Sequence, residues 1–210
     1  PKNLSFEEAS LAEPLACAIN GQELSKISLG DTVAIIGAGP LGCIHIQLAR
    51  VKGASKIILI EISEKRIELI QNLIPVEVVI NPSREDVVKR IKEETGGRGV
   101  DKVIVACSNR KAQEQALLII SPRGIVNFFG GLPKDEPFIE FNSNLVHYGE
   151  FYVVGTHGSA PYQNELALNL ISQKRIKVKE LITHRLPLEK LKEGIRLAES
   201  QESLKVLIEP

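Results

Sequence analysis

The sequence predicts an α/β fold: a doubly wound, six-stranded parallel sheet, with short terminal segments belonging to a second unit. Three observations carry this. Short apolar runs rich in Val and Ile recur along the chain, segments with helical spacing of apolar residues separate them, and Gly, Asn, Pro or Ser bounds each run. The runs are continuous rather than alternating, as expected for strands covered on both faces. Strand and helix in alternation imply right-handed crossovers and parallel pairing.

Each element follows in order. Residues 1–25 read as an incoming connection, with Ser5 and Glu8 spaced as a capping box and Pro14 expected to interrupt the helical sequence after Glu13. The first strand is predicted at Val33–Ile36, followed by a helix with the stripe Leu41, Ile44, Leu48 and Val51 and a stop at Gly53. The second strand, Lys56–Ile60, leads to the stripe Ile67, Ile70 and Ile74; the third, Val76–Ile80, leads to Val87, Val88 and Ile91. Ser83, three residues before Asp86, is expected to start that helix and Gly96 to end it, which also makes Gly96–Gly99 a stop rather than a phosphate loop. The remaining strands are predicted at Lys102–Ala106, Ile125–Phe129 and Phe151–Val154, with a helix over 161–173. After it come extended pieces at Ile176–Val178 and Leu181–Thr183, a helix near Leu188–Ala198 and a strand at Lys205–Ile208. The core is therefore expected to span 26–175, and 176–210 to return toward another unit.

Composition limits the partners. Twenty-six Lys and Arg balance twenty-six Asp and Glu, so no net field draws the chain to nucleic acid or to an anionic membrane. Cys17, Cys43 and Cys107 are odd in number and form no CxxC pair, which argues against a disulfide framework or a cysteine-rich zinc site and for a reducing cytoplasm. No apolar run approaches the roughly 20 residues that span a bilayer. The chain opens on Pro1 and contains no Met, so it reads as part of a longer polypeptide.

The stretch "GAGPLG" carries the chemistry. Gly37, Gly39 and Gly42 fit G-x-G-x-x-G directly after a predicted strand and at the start of a predicted helix. The first glycine permits the tight turn, the second lets the backbone approach a pyrophosphate, and the third lets helix and strand pack closely. Unpaired N–H groups at the helix start then favour an anion, and Pro40 suits the first turn because the N–H it lacks would be unpaired anyway. Glu61 ends the second strand, 19 residues after Gly42, where a carboxylate can accept hydrogen bonds from both ribose hydroxyls and repel a 2′-phosphate. That favours NAD over NADP. The bland reading makes Glu61 a strand cap. Arg66 is placed to stack on adenine, to meet a 2′-phosphate or to remain a solvated helix residue.

Longer matches carry a family resemblance. "AEPLACAING", "GDTVAIIGAGPLG", "TGGRGVDKVIVA", "FFGGLP", "YVVGTHGS" and "ITHRLPLEKLKEG" occur in the order found in the zinc-dependent medium-chain dehydrogenases, and the chain most resembles their polyol (sorbitol-type) and threonine dehydrogenase branch. The resemblance implies a Rossmann fold, NAD-linked oxidation of a secondary alcohol or polyol, a catalytic zinc, and homodimers or homotetramers built through the coenzyme domain. It implies that Gly37, Gly39, Pro40, Leu41 and Gly42 cradle the pyrophosphate and that Glu61 and Arg66 hold the adenosine. It also places Ala106, Cys107 and Ser108, then Phe129, Gly130 and Gly131, then Gly155, Thr156 and His157 around the coenzyme. Glu13 matches an acid in the family's zinc shell, whereas the main zinc ligands are expected in a preceding catalytic domain. The 210 residues are therefore expected to bind NAD without turning over alcohol.

Other residues have plainer readings. Cys107 lacks an evident base and reads as a small residue of the cofactor loop, while His45 and His184 read as packing residues. Two further classes stay open: a Rossmann-like methyltransferase, and a non-catalytic NAD-sensing module.

Overall fold

The computed structural model describes residues 1–200 and 203–210. Its elements run α1 (Phe6–Ala9), α2 (Ala12–Leu24), β1 (Thr32–Ile36), α3 (Pro40–Val51), β2 (Lys56–Ile60), α4 (Glu64–Leu73), β3 (Val78–Ile80), α5 (Val87–Glu94) and β4 (Val100–Val105). They continue with α6 (Arg110–Ile119), β5 (Ile120–Phe128), α7 (Ser143–Gly149), β6 (Tyr152–Gly155), α8 (Pro161–Ser172), β7 (Ile182–Pro187), α9 (Leu191–Glu199) and β8 (Lys205–Glu209). The first six strands form one parallel sheet in the order β3-β2-β1-β4-β5-β6, and β7 and β8 form a separate parallel pair. Chain order reverses between β1 and β4. The doubly wound sheet expected from the apolar runs is thus present.

The continuous apolar strands bury both faces. On one side Val33, Ile35, Ile57, Leu59 and Ile104 pack against α2, α3 and α8; on the other, Ala34, Ile58, Ile60, Val103 and Val105 pack against α5 and α6. The terminal segments join the first of these clusters: Leu15, Ala16 and Ile19 from α2, and Ile176, Val178, Leu181 and Leu204 from the tail.

Several local expectations shift for identifiable reasons. Pro14 does not interrupt the helix, because it occupies the first turn of α2, where an N–H has no intrahelical partner. Asp86, not Ser83, caps α5: its carboxylate accepts from Lys89 N at 3.0 Å, while Ser83 donates through both N and Oγ to Asn81 Oδ1. Val76 and Glu77 fall outside β3; the Glu77 carboxylate accepts from Ile57 N of β2 at 2.8 Å, doing with a side chain what the ladder would do with a carbonyl. Ile176–Val178 is not a strand, since the Gln47 side chain bonds both Lys177 N and Lys177 O and removes the need for a neighbour. The capping box of Ser5 and Glu8 is formed, and Gly53 and Gly96 follow their helices with positive φ. No described helix is long and apolar enough to cross a membrane.

Candidate functional site

The loops that leave the carboxyl ends of β1, β4, β5 and β6 converge on a cleft of about 610 Å³, lined by Glu13, Cys17, Gly39, Pro40, Leu41, Ala106, Phe129, Thr156, His157 and Lys205 among others. Ligands of open parallel sheets bind at such an edge, where strand order reverses.

The loop after β1 is built by its glycines. Gly37 takes φ +104, a conformation that costs a glycine little, and a Cβ there would crowd Cys107 at 3.2 Å and the Ala106 carbonyl at 3.3 Å. A Cβ on Gly42 would stand 1.9 Å from the Gly37 carbonyl oxygen, so only glycine lets α3 start this close to the strand it follows. Gly39 is the N-cap of α3, with open space where its Cβ would be, and Pro40 opens the helix. The helix start therefore presents bare backbone to the cleft.

Glu61 leaves β2 beside this loop. It is 5% exposed, and its two oxygens accept from Ala38 N at 2.6 Å and Ser63 N at 2.8 Å. Each carboxylate oxygen has a second lone pair, so the acid that fixes the glycine loop retains capacity to accept further hydrogen bonds. Ile62, the next residue, is 66% exposed. Arg66, in α4, is half-buried with its Nε unpaired, and it lines a second cavity of about 380 Å³ with Lys65, Thr183 and His184 rather than the main cleft. Glu61 and Arg66 are thus close in sequence at the start of α4, but Arg66 lines the second cavity while Glu61 is buried against the glycine loop and lines neither cavity.

The far end of the cleft is held by polar bonds. Asn127, buried in β5, donates through Nδ2 to Gly21 O and Ser25 Oγ and accepts at Oδ1 from Thr156 Oγ1, tying α2 to the loop that carries Thr156 and His157. Gly130 N donates to Val105 O, and a Cβ on Gly130 would meet the Cys107 carbonyl at 2.5 Å, so the loops after β4 and β5 pack backbone to backbone. Burial, and secondarily the Glu61 charge, push the Cys107 thiol up in pKa, which suits a protonated packing residue and not a nucleophile. Ser108 and Gly131 lie on these loops and Gly155 ends β6; none of the three lines the cleft, and neither do Gly37, Gly42, Glu61, Cys107 or Gly130.

The residues fit a dinucleotide. A bare helix start, a buried carboxylate at the second strand and a cleft reaching to β6 match its anionic centre and its two ends. They do not fit zinc: among the described residues no group of three or more His, Cys, Asp or Glu could hold a metal ion, and Glu13 accepts from Cys17 Sγ at 3.1 Å.

A family described as zinc-binding dehydrogenase matches residues 40–173, from the start of α3 to just past α8. The chain belongs to the zinc-binding dehydrogenases. Among its relatives, the chain is 35% identical to a sorbitol dehydrogenase of Bombyx mori and 34% identical to an L-threonine 3-dehydrogenase of Pyrococcus furiosus, in each case over 99% of its own length. It spans 59% of the length of both relatives. Two solved structures superpose closely. An alcohol dehydrogenase from Thermus sp. ATN1 gives a TM-score of 0.88 at 32% identity, covering 99% of this chain and 59% of that one. A protein described as a zinc-binding dehydrogenase from Sinorhizobium meliloti 1021, bound to NADP, gives 0.93 at 29% identity, covering 100% and 61%.

Sequence alone marks Lys205 only as the start of a strand and does not single out Ile62. Lys205 reaches the cleft only because β8 returns to it from far along the chain, and no local pattern signals that return. Ile62 follows the acid directly, and an apolar residue left outside a strand end was the available signal.

Proposed function

We propose that this chain is the coenzyme-binding part of an NAD-dependent dehydrogenase of secondary alcohols or polyols. The observation that carries the proposal is the buried Glu61 carboxylate bonded to the Gly37–Gly42 loop at the point where strand order reverses. In this reading the backbone at Gly39, Pro40, Leu41 and Gly42 takes the pyrophosphate, and the Lys205 ammonium offsets its charge from across the cleft. Glu61 accepts from the adenosine ribose hydroxyls, and the exposed Ile62 gives the adenine an apolar face. Arg66 stands at that same end. Ala106, Phe129, Thr156 and His157 enclose the nicotinamide. The coenzyme, when bound, supplies the hydride acceptor; the chain's own residues hold it, orient its ring and keep water off one face.

Glu61 favours NAD, because a 2′-phosphate would meet its negative charge. The NADP of the Sinorhizobium structure is a property of that protein. A zinc shell that includes Glu13 would need further ligands from outside the described residues. For the same reason we propose that these 210 residues bind NAD but do not oxidise alcohols unaided. The proposal includes a homodimer or homotetramer. Edge strand β6 has an unpaired side, with Tyr152 64% and Val153 41% exposed, and an uncovered edge of this kind is a template for pairing with a second copy. A reducing cytoplasm suits the three free thiols.

A thermal-shift titration tests the coenzyme reading. NAD should raise Tm in a concentration-dependent way, while S-adenosylmethionine should leave it unchanged, since a ligand that binds only the native state stabilises it by mass action. The reverse result would favour the methyltransferase alternative. Alcohol oxidation by the chain without any added protein would refute its predicted lack of turnover.

A further inference from the structure

We infer that His45 is a positioning residue for the nicotinamide end of the cleft, acting through Phe129. The inference rests on the NAD reading above.

His45 lies in α3, fully buried, and its imidazole meets the Phe129 ring edge to face, with centroids 4.4 Å apart and an interplanar angle of 85°. Phe129 follows β5 and forms part of the cleft wall. Helix α2 closes the space behind both rings. A Cβ on Gly21 would meet Phe129 Cδ2 at 2.9 Å and His45 Cε1 at 3.4 Å, so the phenyl ring has no room to retreat. Gln22 Nε2 donates to the His45 carbonyl oxygen at 2.8 Å and lies 3.3 Å from Nδ1, which anchors the histidine to α2.

An imidazole is a costly choice for this place. His45 Nε2 and Gln22 Oε1 are buried without hydrogen-bond partners, a penalty that an apolar residue at position 45 would reduce. Burial also pushes the His45 pKa down to about 3, so the ring is neutral at ordinary pH and serves no acid–base step there. What the imidazole supplies is a flat aromatic partner, and edge-to-face geometry fixes a ring plane in a way that an aliphatic side chain does not. Local rules broken at such expense mark functional places in a fold. Here the result is a fixed Phe129 face toward the coenzyme.

The test compares Kd values for NAD and for ADP-ribose, which lacks the nicotinamide, in wild type, His45→Leu and His45→Phe. His45→Leu should weaken NAD by about two- to tenfold, the scale of an aromatic pair contact, and leave ADP-ribose unchanged; His45→Phe should restore NAD binding. Equal weakening of both ligands, or no weakening, overturns the inference. If wild type binds neither ligand, the NAD reading falls first and takes the inference with it. A second measurement reads the ring itself. The ring resonance of the buried His45 should not titrate between about pH 5 and 8, and its loss in the His45→Leu variant assigns it. NAD should shift that resonance and ADP-ribose should not; an unmoved signal with NAD overturns the inference.

Discussion

Glu61 is held on both oxygens by backbone N–H groups, of Ala38 in the glycine loop and of Ser63 at the start of α4, so the acid is oriented before any ribose arrives. Exchange for glutamine would keep its size and remove its charge. Glu61→Gln should raise the NAD Kd by about tenfold or more, as expected for lost charge-assisted hydrogen bonds, and should narrow the preference for NAD over NADP. Isothermal titration with both coenzymes reads this directly, and an unchanged NAD-to-NADP ratio would remove Glu61 from the ribose. The glycine spacing and the distance to this acid were legible in the sequence, because both are local consequences of a strand, a turn and a helix. The contact of His45 with Phe129 was not. It joins distant positions through the packing of α2, α3 and β5, and sequence alone assigns His45 no more than burial.

At the scale of elements, continuous apolar runs located all six strands of the main sheet, since strands covered on both faces carry apolar residues at successive positions; only edge strand β6 is largely exposed. Their ends were less legible because side chains substitute for backbone at those ends. Glu77 takes a ladder position with its carboxylate, and Asn81 claims Ser83 in a turn after β3 and leaves capping to Asp86; outside the main sheet, Gln47 satisfies the backbone at Lys177. The turn at Asn81 has a measurable consequence. Asp86→Ala should destabilise the fold by about 1 kcal/mol, the usual worth of an N-cap, and Ser83→Ala by clearly less. Chemical denaturation of both variants would check the ranking, and a larger loss at Ser83 would return the cap to that residue.

Across the whole molecule, one sheet separates two apolar clusters, and both terminal segments pack into the cluster that lies beneath the cleft. The sheet is closed by helices on its faces and open along β6. Val153→Lys on that edge should convert the proposed oligomer to monomer while NAD affinity remains, because like charges brought opposite one another disfavour strand pairing. Sedimentation equilibrium with and without the substitution would decide it, and a wild-type monomer would dismiss the edge as an interface.

The cleft draws its wall from positions as far apart as Leu11 and Lys205. During synthesis a ribosome therefore releases β1, α3 and the glycine loop long before the cavity has its last side. The nascent chain can form a Gly-rich turn early, yet the complete pocket exists only after β8 has emerged and docked. The side of the cleft that faces the glycine loop from β8 is thus the last part of it to be made.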